Sequence, residues 1–103
     1  MDFTSVTREG ERARCGALVV HLLAGESHVE PAARIGLVVG KSVGGSVVRH
    51  RVSRRLRAQL SQRLDRIPAG SRMVVRALPD TASSDSERLG RDLDNALTRL
   101  VQR

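Results

Sequence analysis

Apolar residues recur at every fourth position along one arginine-rich segment of the chain. The segment ends before Pro68 and Gly70, and its apolar positions are Val48, Val52, Leu56, Leu60 and Leu64. This spacing predicts an amphipathic helix, with Ser46 as its N-cap. At 100° per residue the first four apolar positions fall within an arc of about 120°, which predicts one core face. Arg49 falls near the edge of this arc, so either its stem reaches outward or the helix begins later.

Positive charge is concentrated in the same part of the chain. The 103 residues carry 18 Lys and Arg against 11 Asp and Glu, for a formal net charge of +7. Residues 31–64 contain no acid, whereas basic and acidic residues nearly cancel elsewhere. An ordinary solvated helix face usually mixes both signs, so this segment predicts a surface for nucleic acid. The candidate RNA-binding residues are Lys41, Arg49, His50, Arg51, Arg54, Arg55 and Arg57.

In the rest of the chain, the apolar pattern predicts strands and a closing helix. Short apolar runs predict strands at residues 17–23, 34–39 and 73–78. Ser84 and Glu87 have the spacing of a capping box. The apolar stripe of the closing helix is Leu89, Leu93, Ala96, Leu97, Leu100 and Val101. A further short helix is possible around Phe3 and Val6.

These elements predict an α+β fold in a single domain over residues 1–103. Strands that precede and follow a crossover helix favour a small two-layer sandwich, with a mixed sheet of three to four strands packed against helices. No apolar run approaches the length needed to span a membrane, so we expect a soluble, cytoplasmic protein without a membrane partner.

Several kinds of chemistry are disfavoured by the sequence. The loop GKSVGG at residues 40–45 could face an anion, but Ile35 stands where a Walker motif needs glycine. With one Phe and no Trp or Tyr, the chain has almost no aromatic platform for base stacking. Cys15 is the only cysteine, and the three histidines show no metal-ligand spacing. We therefore expect no catalytic residue and no metal held by the protein.

Residues 34–60, RIGLVVGKSVGGSVVRHRVSRRLRAQL, resemble the signature of the bacterial ribonuclease P protein family, a glycine and lysine loop followed by an Arg-Asn-Arg helix. The flanks are also similar, since residues 2–22 look like the family's first helix, basic turn and first strand. MVVRALP at residues 73–79 looks like its last strand.

The resemblance implies a left-handed crossover and an α-β-β-(β)-α-β-α order. It also implies that an RNA subunit hydrolyses precursor tRNA with Mg²⁺, while the protein binds that RNA and the 5′ leader of the substrate, with no protein partner required. Carried over, Lys41 and the arginines of the basic helix contact the RNA subunit. A leader cleft on the sheet would include Phe3, Val20 and Leu37.

Three departures from the family pattern concern binding. His50 replaces asparagine between Arg49 and Arg51, which keeps hydrogen-bonding capacity and adds a charge when the imidazole is protonated. Thr7 stands where the family often has an aromatic residue, and no basic arm precedes the first helix. These departures predict weaker leader binding, or a missing N-terminal segment. The alternatives are a ribosomal or other structural RNA-binding protein, and an independent metal nuclease.

Overall fold

The computed structural model describes residues 10–23 and 33–101. Four strands and two helices make up most of this part of the chain. The strands are β1 (Glu11–Cys15), β2 (Leu18–Leu23), β3 (Arg34–Val38) and β4 (Arg72–Ala77). The helices are α1 (Ser46–Ser61) and α2 (Ser86–Leu100), with short 3-10 turns at Leu64–Arg66 and Pro79–Ser83. The helix proposed around Phe3 and Val6 lies outside the described residues.

The strands form one mixed sheet in the order β1-β2-β4-β3. β2 pairs antiparallel with both β1 and β4, whereas β3 pairs parallel with β4. The connection from β3 through α1 to β4 is therefore a crossover between adjacent parallel strands. The α+β sandwich with a mixed sheet is confirmed, and the hand of the crossover stays a prediction.

β1 is the element that the apolar pattern did not predict. Its sequence ERARC places only Ala13 and Cys15 toward the core, while Arg12 and Arg14 are exposed. Such a half-polar edge strand has too few apolar residues to stand out as a run, although its alternation has the period of a strand. Cys15 is a free, buried thiol.

The predicted helix caps are each displaced by one residue. Gly45, in extended conformation, is the N-cap of α1, and Ser46 is the first helical residue. Asp85 rather than Ser84 caps α2, because the Asp85 carboxylate accepts a hydrogen bond from the backbone N–H of Arg88 at 2.8 Å. The Ser84 hydroxyl instead donates to the carbonyl of Asp80 at 3.0 Å.

α1 is also shorter than the apolar repeat implied. It ends at Ser61, and Leu64 lies in the following 3-10 turn with 54% of its surface exposed. The core position at the end of this segment is taken by Ile67, which is 5% exposed.

Both helices cover the same face of the sheet and enclose one core. The core-facing side chains of α1 are Val52, Leu56 and Leu60, and each is buried. The predicted stripe of α2 is confirmed, since Leu89, Leu93, Ala96, Leu97 and Leu100 are buried and Val101 packs against them. The core residues of the sheet are Ala13, Cys15, Leu18, Val20, Leu22, Met73, Val75 and Ala77.

The turn between β1 and β2 is fastened to α2 by a buried carboxylate. Asp92 is 7% exposed, and its Oδ2 accepts a hydrogen bond from the backbone N–H of Ala17 at 3.0 Å. Gly16 has a φ of +58°, and a Cβ built there would lie 2.2 Å from Asp92 Oδ1. Only glycine therefore allows this close approach of strand turn and helix.

Candidate nucleic-acid interface

The side of α1 opposite the core carries two exposed arginines, an exposed histidine and one exposed apolar residue. We call this surface the outer face, and its residues are Val47, His50, Arg54 and Arg57, which are all exposed. Their spacing of three and four residues places them along one stripe of the helix. Because α1 contains no acidic residue, the charge of this stripe is not offset on the helix itself.

Arg51 and Arg55 differ from the outer face because both side chains bind the protein. Arg51 Nη2 donates to the carbonyl oxygen of Ala82 at 2.8 Å, and Arg55 Nη1 donates to that of Ser84 at 2.9 Å. Both arginines are half-buried. We call them the anchoring pair, because they join α1 to the segment that leads into α2. The sequence placed them with the other RNA-binding arginines, and the structure separates the two groups.

Arg49 lies on the flank of α1 near the core. Since the helix begins at Ser46, the alternative of a later start is wrong, and Arg49 is half-buried. Its Nε is buried and makes no hydrogen bond. Arg49 is therefore less available to a phosphate than Arg54 or Arg57, which lie on the outer face.

The loop GKSVGG leads directly into the N-terminus of α1. Backbone bonds from Val43 N–H to Gly40 O and from Gly44 N–H to Lys41 O close two successive turns. Val43 inserts into the core at 5% exposure, which leaves Lys41 exposed on the loop. The loop thus adds a cation beside the basic helix, as the sequence predicted.

The far end of α1 is fixed to α2 by an ion-pair cluster. Arg63 donates through Nε and Nη2 to both carboxylate oxygens of Asp94, at 2.7 and 3.2 Å, and Arg66 Nη1 donates to Oδ1 at 2.6 Å. These bonds, chiefly that from Arg63, lower the pKa of Asp94 below its ordinary value. Arg63 lies within the acid-free segment of residues 31–64, but its charge is met by Asp94.

The sheet face turned away from the helices carries a second set of cations. Strand alternation and register place Arg12 opposite His21, and Arg14 and Arg76 on either side of Val19. Arg12, Arg14 and Arg76 are exposed. Sequence reasoning missed this surface because β1, which carries Arg12 and Arg14, was not predicted.

His21 lies at the centre of that opposite face. It is 8% exposed, and its Nδ1 is buried without a hydrogen-bond partner. Burial lowers the pKa of His21 below its ordinary value of 6.5, and the positive charges of Arg12 and Arg76 lower it further. The folded protein therefore favours the neutral imidazole.

The residues proposed for a leader cleft do not meet on an accessible surface. Val20 is 0% exposed and lies in the core under the helices, because it alternates with His21 along β2. Leu37 is partly buried and packs against the same core. The cleft prediction therefore selected the helix-covered face of the sheet. Phe3 lies outside the described residues.

Residues 10–23 and 33–101 contain no group of three His, Cys, Asp or Glu side chains that could hold a metal ion. In these residues neither helix is long and apolar enough to cross a membrane.

Comparison with known proteins decides the family. The family model described as Ribonuclease P matches residues 1–101. The chain belongs to the ribonuclease P protein family. A relative from Streptomyces griseus, called ribonuclease P protein component, is 49% identical over 97% of this chain and 86% of its own length. A relative of the same name from Acidothermus cellulolyticus is 44% identical over 98% of this chain and 83% of its own.

Solved structures of ribonuclease P proteins share the fold. The Staphylococcus aureus protein superposes with a TM-score of 0.81 at 20% identity, covering 97% of this chain and 91% of that one. The Thermotoga maritima protein gives a TM-score of 0.81 at 24% identity, covering 95% and 90%. Family membership confirms an RNA-binding subunit that acts in tRNA processing.

Proposed function

We propose that the chain binds the RNA subunit of ribonuclease P through the outer face and the GKSVGG loop. The observation that carries this proposal is the acid-free stripe of His50, Arg54 and Arg57, with Lys41 on the adjoining loop. A guanidinium group can donate two parallel hydrogen bonds to a phosphate, and several such groups along one helix can follow an RNA backbone.

The second cationic surface would hold the 5′ leader of precursor tRNA. Arg12, Arg14 and Arg76 are exposed on the sheet face opposite α1, so one protein could contact two RNA strands on its two sides. A single-stranded leader presents phosphates that such arginines can bind with little base preference. This surface is proposed for the leader in place of the cleft predicted at Val20 and Leu37.

The protein's own role is to bind and position RNA. Its described residues do not fit a magnesium site, because their carboxylates are dispersed or already paired, as Asp92 and Asp94 are. In keeping with the family resemblance, we assign hydrolysis of the precursor, with Mg²⁺ as its cofactor, to the RNA subunit. The cations of the protein would reduce repulsion between the two RNAs and so lower the magnesium needed for their association. The expected location is the cytoplasm.

Reconstitution tests the proposal directly. The cognate RNA subunit is assayed for removal of the 5′ leader in low magnesium, with and without the protein. We expect faster cleavage and tighter precursor binding when the protein is present, and no cleavage by the protein alone. An RNA subunit that gains nothing from the protein would contradict the proposal. Sequencing the RNA that co-purifies with the protein separates this role from that of a ribosomal RNA-binding protein.

A further inference from the structure

A valine stands beside the histidine and the two arginines of the outer face. Val47 is 79% exposed, more than the other large exposed apolar residues described, Leu64 at 54% and Val38 at 46%. His50 and Arg54 follow it by three and seven residues, so all three lie on one stripe of α1. Phosphates form no hydrogen bond or ion pair with a valine side chain, so an RNA that covers Val47 would place an apolar group, such as a base, against it.

Val47 forms part of the wall of a shallow depression of about 480 Å³ at the start of α1. The depression is lined by Ser46, Val47, His50, Arg51 and Arg54. None of these side chains is acidic, and the guanidinium of Arg51 is held in place by its bond to Ala82 O. We call this depression the Val47 depression. It combines an apolar wall, an imidazole plane and two guanidinium groups, one of which is preorganised.

A second groove, beside Leu64, differs from the Val47 depression in its charges. It is lined in part by Leu64, Asp65, Arg66 and Ile67, and so combines an exposed apolar residue with charges of both signs. A polyanion gains little net attraction there. Unlike Leu64, Val47 has only cationic or neutral neighbours along its depression.

We infer that the Val47 depression holds one unpaired nucleotide of the ribonuclease P RNA, with its base against Val47 and His50 and its phosphate at Arg54. This inference rests on the proposed function. Bases in a duplex are stacked and present phosphates and riboses to a helix, so only a base released from its stack can cover an apolar side chain. The depression would thus recognise local RNA structure in addition to charge.

Binding of the cognate RNA subunit over a series of salt concentrations tests the inference. Val47→Ala should weaken binding about fivefold, because two methyl groups lose part of their burial. The slope of log affinity against log salt should not change, because no phosphate contact is lost. Leu64→Ala is the matched control, an exposed apolar residue outside the depression, and should bind like wild type. Thermal unfolding of Val47→Ala should match that of wild type, since Val47 is exposed.

Two further ligands identify what occupies the depression. A fully paired RNA duplex and precursor tRNA without the RNA subunit should bind Val47→Ala and wild type equally. The inference would be overturned if Val47→Ala and wild type bound the RNA subunit with equal affinity. It would also be overturned if Val47→Ala lost as much affinity for the duplex as for the RNA subunit, or lost affinity for precursor tRNA alone. Failure of the proposed function is distinguishable, because wild type itself would then not bind the RNA subunit or accelerate cleavage.

Discussion

Arg63 and Asp94 form a two-point ion pair that joins the end of α1 to the middle of α2. Nε and Nη2 of the arginine donate to the two carboxylate oxygens at 2.7 and 3.2 Å. The pair fixes one end of the basic helix, and the bonds of Arg51 and Arg55 to the backbone of the Pro79–Ser83 segment and Ser84 fix its flank. The outer face is therefore held at a set angle to the sheet, which would keep the two proposed RNA-binding surfaces in a fixed relation.

Asp94→Asn should lower the free energy of unfolding by about 1 kcal/mol at neutral pH, since the pair is partly exposed. The folded pKa of Asp94 is lowered, so its stabilising effect is present above the ordinary carboxyl value of 3.8 and is lost as pH falls through the folded value. Urea unfolding should show the same loss of unfolding free energy in Asp94→Asn, relative to wild type, at pH 7 and at pH 5. The loss should be smaller at pH 3. Asp65→Asn, in the adjacent 3-10 turn, is the control. A deficit that persists unchanged at pH 3 would contradict this assignment.

Gly16→Ala should destabilise the protein by about 2–4 kcal/mol, because alanine is strained at positive φ and its Cβ would overlap the Asp92 carboxylate. The measurement is chemical denaturation. Gly40→Ala is the matched control, since a Cβ there meets no atom within 4 Å, and it should unfold like wild type. Equal stability of the two variants would show that the turn does not pack on Asp92 as described.

Arg54 and Arg55 are adjacent, yet their substitution should have different effects. Arg54→Gln should leave stability within about 0.5 kcal/mol of wild type. It should reduce the salt slope of RNA binding by about 0.7–0.9, the contribution of one phosphate contact. Arg55→Gln should instead lower stability by about 1 kcal/mol, through loss of the bond to Ser84 O, with a smaller change in slope. Denaturation measures stability, and RNA titration on the same preparations measures the salt slope. Identical behaviour of the two variants would refute the division between the outer face and the anchoring pair.

His21→Leu should change how stability depends on pH. The folded pKa of His21 is lowered, so the unfolded chain binds a proton first as pH falls below 6.5, and wild type loses stability there. His21→Leu lacks this contribution. As pH falls from 7.5 to 5.5, the free energy of unfolding of His21→Leu should rise relative to that of wild type by up to about 1 kcal/mol. Between pH 8.5 and 7.5 the difference should not change, because the imidazole is neutral in the folded and the unfolded state. A difference independent of pH would mean that His21 does not titrate as its burial requires.

Much of the architecture followed from the sequence. Apolar periodicity gave α1, the stripe of α2, three strands and the α+β class, because the side that a residue presents to a core depends on local geometry alone. The absence of acids from residues 31–64 located the basic helix, and the motif around Arg49 and Arg51 indicated the family. These properties depend on residues close together in the chain.

Tertiary structure decided which residues of the site are available. Periodicity places Arg51 and Arg55 outside the core, but their carbonyl partners, Ala82 and Ser84, lie 31 and 29 residues away. The register of β1 on β2 brought Arg12 beside His21, and the packing of both helices on one face buried Val20. A local pattern can show that a side chain leaves its own core face, but what it then meets depends on how distant segments pack.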